Sequence, residues 1–140
     1  MRQGVLIAIV TAAFSAGQVV PARMAKTPAA STPSDAQVAR GKYIVDGVAR
    51  CSQCHSPDDR PEDYLMGGPV PMLSATPKPD WAIRVPRIAG GPAGTDQDVI
   101  RELMTGISRF GRPLSPPMPS FRMNRDDAQA VLAYLKSLKH

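Results

Sequence analysis

Cysteine and histidine are nearly missing from this chain: two of each in 140 residues, at Cys51, Cys54, His55 and His140. Structural zinc wants four ligands and would have to use all of them. Large side chains are scarce too, with one Trp, three Tyr and three Phe. A small chain so built has difficulty forming a core from its own atoms, which a bound group would ease. No strand alternation and no internal repeat is visible, which argues against a βαβ unit. No apolar run approaches the ~20 residues of a membrane span. A strongly basic face is also lacking, although the formal charge is +5. Arg2, Arg23 and Lys26 all precede the first acid, Asp35, so the chain from Ser34 onward carries fourteen basic against twelve acidic side chains, or +2. Nucleic-acid binding, which needs a basic patch, is not expected.

What is present begins with "MRQGVLIAIVTAAFSAG": one basic residue, a short apolar run, then small residues. That is the layout of a secretory signal peptide, expected over residues 1–22 with cleavage after Ala16 or Ala22. A buried apolar helix is the other reading. Residues 23–33, rich in Ala, Pro, Ser and Thr without periodicity, read as a flexible linker. The folded domain is expected over residues 34–140, exported to the periplasm and without a permanent membrane span once the signal is removed.

Three helices are predicted. In the first, "SDAQVARGKYIVDGVARC", Ser34 is the N-cap with Gln37 three residues on, and Val38, Gly41, Val45 and Val48 recur at helical spacing. Gly41 in that stripe is either tolerated or a place where another backbone comes close. In the second, "TDQDVIRELMTGI", Thr95 is the cap, Asp98 the third position and Gly106 the stop. In the third, "NRDDAQAVLAYLKSLKH", Asn124 is the cap and Ala128, Val131, Leu132, Leu135 and Leu138 form one apolar stripe. Between residues 57 and 86, Pro57, Pro61, Pro69, Pro71, Pro77 and Pro79 forbid a long helix. A run of this kind in a compact domain is usually functional or wrapped over something.

Both cysteines and the internal histidine fall in "CSQCH", residues 51–55. A thiol redox pair is one reading, but thioredoxin-like proteins set that motif within a βαβ unit. Zinc is a second, short of convincing ligands. Covalent haem is the third, since C-x-x-C-H is the c-type attachment motif. It accounts for every part of the stretch. Two thiols three residues apart on a helical turn lie on one side and add to the two vinyl groups, and His55 follows within reach of the iron.

With this motif the chain resembles the class I c-type cytochromes from Ser34 onward. "RGKYIVDGVARCSQCH" looks like that family's first helix running into the haem site, "VPRIAG" like the turn that follows, "PPMP" like the axial-methionine loop, and "MNRDDAQAVLAYLKSL" like the closing helix. The resemblance implies an all-α cytochrome c fold: three main helices around one covalently attached haem c, here with a long proline-rich loop. That loop is similar to those of monohaem cytochromes accompanying bacterial dehydrogenases.

Cys51 and Cys54 are then the thioether positions and His55 one axial ligand. Of seven methionines, Met118 is the candidate opposite ligand. Three prolines stiffen its loop, and the family pattern puts the ligand there; Met123 is second. The resemblance also implies that the Pro86 carbonyl accepts a hydrogen bond from the far nitrogen of His55; without it Pro86 is a turn residue. Trp81, Tyr64 and Arg84 are candidates to meet the haem propionates, Trp81 being equally a core residue. Ile88 and Leu114 are expected to pack on the ring, and Gly41 and Tyr134 to meet where the first and last helices cross. Arg101, Arg109, Arg112, Arg122 and Arg125 surround the ligand loop, as a solvated surface or as a ring that steers an acidic partner.

A His/Met pair fills both axial positions and raises the potential. The implied function is a one-electron carrier, not an enzyme. It would relay electrons from a protein donor such as a dehydrogenase to an acceptor such as another cytochrome or a terminal oxidase. The rival is a five-coordinate haem enzyme or small-ligand sensor with a labile methionine.

Overall fold

The computed structural model describes residues 32–56, 58, 60–71 and 79–139. The expected signal peptide, most of the linker, Met72 and His140 lie outside the described residues.

Helix α1 (Asp35–Tyr43) starts where expected, the Ser34 hydroxyl accepting the Gln37 N–H at 3.2 Å. Asp35 in its first turn and Arg40 and Lys42 in its last suit the helix dipole. At Ile44 the winding changes. Residues Ile44–Val48 form a π-helical turn, with the Ala49 N–H reaching the Ile44 carbonyl at 2.7 Å. The wider turn breaks the 3.6-residue period on which the expected stripe was drawn. Ile44 and Val45 are buried, and Val48, expected on the same face, is 61% exposed. A short helix α2 (Ser52–His55) follows directly.

Helix α3 (Asp96–Thr105) opens with a reciprocal capping box. The Thr95 hydroxyl accepts the Asp98 N–H at 3.2 Å, and the Asp98 carboxylate accepts the Thr95 N–H at 3.1 Å. It stops at Gly106, whose left-handed φ of 72° would strain a side chain. A Cβ there would also fall 2.2 Å from the Ser120 hydroxyl oxygen. Helix α4 (Arg125–Ser137) is capped by Asn124, which accepts the Asp127 N–H at 2.8 Å.

The apolar stripe of α4 is the centre of the core. Ala128, Val131, Leu132 and Leu135 are buried against Ile44 and Val45 beyond α1, and against Val99, Ile100 and Leu103 of α3. Each buried Val, Leu or Ile among them contributes roughly 1.5–3 kcal/mol. Leu138 packs on the edge of the same cluster. The α1–α4 crossing is tight because Gly41 has no side chain. A Cβ on it would lie 2.0 Å from the Ala130 carbonyl oxygen and 2.7 Å from the Tyr134 Cβ. Ala130, Ala133 and Tyr134 are buried as well, so α4 is covered on more than its predicted stripe.

The proline-rich segment contains an ordered device that the sequence pattern did not predict. Strand β1 (Gly68–Pro69) pairs antiparallel with strand β2 (Arg84–Val85), Gly68 opposite Val85 and Pro69 opposite Arg84. The Val70 N–H continues the ladder to the Ile83 carbonyl at 3.1 Å. Two residues per strand are too few for alternation to register. Leu65, fully buried at φ 60°, pins this loop to the core. Its carbonyl accepts the N–H groups of Ile88 and Ala89 at 2.9 and 3.1 Å, and its own N–H donates to the Ser56 hydroxyl at 2.7 Å. Among the described residues, no helix is long and apolar enough to cross a membrane.

Candidate haem site

The π turn delivers the chain into the CSQCH segment. The Cys51 N–H donates to the Val45 carbonyl at 2.9 Å, and the N–H groups of Cys54 and His55 return to the Cys51 carbonyl at 3.2 and 2.9 Å. Residues 51–55 thus form one helical turn, which puts both thiols and the imidazole at the wall of one cavity of about 520 Å³. Helix α3 supplies Val99 and Leu103, α4 supplies Val131 and Leu135, and the segment after β2 supplies Pro86 and Ile88. The loop before α4 adds Leu114 and Met118.

His55 is 5% exposed, and its Nδ1–H donates to the Pro86 carbonyl at 2.8 Å. Burial pushes the imidazole below its ordinary pKa, and the bond to Pro86 partly opposes this. The ring is therefore neutral at physiological pH. With its proton held at Nδ1, the lone pair is left on Nε2, where a metal needs it. Burial pushes the Cys51 thiol up to about 11. A thiol-exchange enzyme needs the opposite, since the thiolate is the attacking species.

The donor set fits a haem. Two half-buried thiols lie three residues apart beside an imidazole with a fixed tautomer. A methionine lines the same cavity, whose walls are largely aliphatic.

Of the other residues expected near the ring, Arg84, Pro86, Ile88 and Leu114 line this cavity, and Trp81 and Tyr64 do not. Trp81 is half-buried next to the wall residue Ala82. Tyr64 is engaged elsewhere, its hydroxyl donating to Asp46 and lying 3.1 Å from the Tyr134 hydroxyl. That cluster ties the loop to the π turn and to α4. The carboxylate captures the phenol, so Tyr64 is a structural link and not a wall of the cavity. Met123 packs on the core outside the cavity.

Sequence reasoning missed Arg50 and Glu102, both of which line the cavity. Each carried a signal. Arg50 directly precedes Cys51, and it adopts φ 52° as the chain leaves the π turn. Glu102 is three residues after Val99 on α3 and so shares its face. Burial raises the Glu102 carboxyl above its ordinary pKa, against the opposing pull of Arg109 and Arg101. Of the arginine group, Arg109 lines the cavity and stacks 4.8 Å over the Phe110 ring, and Arg101 pairs with Asp98.

The family model described as Cytochrome c matches residues 38–139. The chain is 29% identical over 138 residues to the gluconate 2-dehydrogenase cytochrome c subunit of Pantoea cypripedii, covering 87% of this chain and 30% of that protein. It is 27% identical over 110 residues to the fructose dehydrogenase cytochrome subunit of Gluconobacter japonicus, covering 71% and 21%. It is 28% identical over 120 residues to a nicotinate dehydrogenase subunit of Pseudomonas putida, covering 74% and 9%. The chain thus spans less than a third of the length of each of these relatives. It belongs to the cytochrome c family, the electron-transfer proteins that hold haem by covalent bonds.

Proposed function

We propose that this protein is an exported one-electron carrier, or the electron-transfer subunit of a dehydrogenase complex, with one haem c in the domain of residues 34–140. Cys51 and Cys54 would form the thioethers, and His55 and Met118 would be the axial ligands. Bound there, the haem would supply an iron that changes by one charge.

The observation that carries this reading is the buried His55, its Nδ1–H donated to Pro86, at the same cavity as Cys51, Cys54 and Met118. The protein's own work is positioning. The α2 turn holds both sulfurs on one side, and Pro86 orients the imidazole and raises its basicity. The aliphatic walls from α3 and α4 exclude water. The segment Ser115–Pro119 is braced against the opposite loop by the Ala82 N–H, which donates to the Pro116 carbonyl at 2.8 Å. Relatives named as dehydrogenase cytochrome subunits support a dehydrogenase as the donor. Arg109 at the cavity, with exposed Arg112, Arg122 and Arg125 on the same stretch, supports an acidic partner surface.

The test is a visible spectrum of the protein matured in a host that attaches c-type haem. The wild type should show a methionine-to-iron charge-transfer band that Met118→Ala abolishes. The reduced wild type should ignore carbon monoxide. Prompt carbon monoxide binding would favour a five-coordinate sensor or enzyme instead, and colourless protein would remove the haem reading altogether. Reduction by an acidic partner should slow as ionic strength rises.

A further inference from the structure

Gly67 lies against the main chain of both residues joined by the hydrogen bond that orients His55. Its N–H donates to the backbone carbonyl of His55 at 2.8 Å. Its Cα lies against the Pro86 peptide: a Cβ there would fall 2.5 Å from the Pro86 carbonyl carbon, 2.6 Å from the Arg87 nitrogen and 2.6 Å from the Val85 oxygen. These are backbone atoms in a segment held by the β1–β2 ladder, so they cannot swing aside as a side chain would. One residue thus contacts both the histidine's main chain and the peptide whose carbonyl its ring reaches.

We infer that Gly67 is a positioning residue for the iron site, tuning the potential by fixing the length of the His55 Nδ1–H···O=C Pro86 bond. This rests on the proposed ligation by His55. A carbonyl acceptor raises the electron donation of the imidazole, and donation favours the more highly charged, oxidised iron. Moving Pro86 away weakens the acceptor, and the midpoint potential rises.

The experiment compares two substitutions in the holoprotein. Gly67 and Gly111 share φ +73°, but a Cβ on Gly111 meets nothing within 4 Å. Gly67→Ala and Gly111→Ala therefore carry the same left-handed backbone cost, and only the first displaces Pro86. Gly67→Ala should raise the midpoint potential and speed exchange of the His55 Nδ1 proton, read by paramagnetic NMR, by about tenfold or more, the loss of one ordinary hydrogen bond. Gly111→Ala should move neither. An unchanged or lowered potential in Gly67→Ala, or an equal shift in both variants, overturns the inference.

If Gly67→Ala gives no folded holoprotein, native-state hydrogen exchange of the wild type carries the test. The Gly67 N–H and the His55 Nδ1–H should open with the same protection as denaturant is raised. A Gly67 N–H that opens freely while Nδ1–H stays protected overturns it. Wild type that holds no haem would strike the functional reading instead and is recognised first, from the spectrum.

Discussion

The two sides of this molecule are held by different physics. On one side α1, α3 and α4 pack aliphatic faces, and many side chains share the load. On the other, the described part of the segment from Ser56 to Gly91 has little periodic structure and is fixed by individual contacts: Ser56 to Leu65, Leu65 to Ile88 and Ala89, Tyr64 to Asp46 and Tyr134, Gly67 to His55, and Gly90 to Leu135. The cavity lined by Cys51, Cys54 and His55 lies where the two meet. The helical side contributes walls, and the loop side contributes the carbonyl that orients the imidazole. Packing tolerates small errors, because neighbours relax. A lost buried hydrogen bond leaves a specific group without a partner.

The largest effect should come at the one place where the helical side has no slack. Gly41→Ala pushes a methyl group into the Ala130 carbonyl and should cost on the order of 4 kcal/mol, measured by denaturant unfolding of the holoprotein. A cost below about 1 kcal/mol would mean that the α1–α4 crossing shifts freely. Leu65→Ala comes next. It removes a fully buried side chain and should cost about 3 kcal/mol. A much smaller loss would show that the loop only lies over the core. Ser56→Ala takes away the acceptor of the Leu65 N–H and should cost roughly 1–2 kcal/mol, with faster amide exchange at Leu65. An unchanged exchange rate there would mean that water replaces the hydroxyl.

Glu102→Gln should have the smallest effect and the clearest pH signature. Burial raises this carboxyl above its ordinary value of 4.5, so the folded state holds the proton more tightly than the unfolded one. Its contribution is fully present below that ordinary value and is lost as pH rises through the raised one. The variant should therefore be more stable than the wild type at pH 7 and equal to it near pH 4. An equal difference at both pH values would assign the effect to packing.

The same division decided what the sequence revealed. Ser34, Thr95 and Asn124 were readable as caps and Gly106 as a stop, because each acts on residues within one turn. The stripe of α4 was readable because it keeps one period for three turns. Val48 was misread because the π turn changes that period with no marker in composition. The loop was opaque because its partners are remote: Gly67 meets Pro86, and Tyr64 meets Asp46 and Tyr134. At the cavity, the local cluster of Cys51, Cys54 and His55 stood out by rarity, and Met118 by its proline setting. Tyr64 and Trp81 were chosen by residue type alone, which says what a side chain does well but not what it sits beside.

The turn at Ile44–Val48 has one more consequence. A widened turn is an extra residue inserted in a helix, and each residue rotates everything after it by about 100°. The insertion therefore acts as an angular correction that aims residues 51–55 inward while α1 stays seated on α4. Deleting Gly47 should restore regular winding and leave helix content intact by circular dichroism, yet swing both sulfurs off the cavity wall. Such a protein would fold and stay pale, and one that still acquired full colour would show that the aim is set elsewhere.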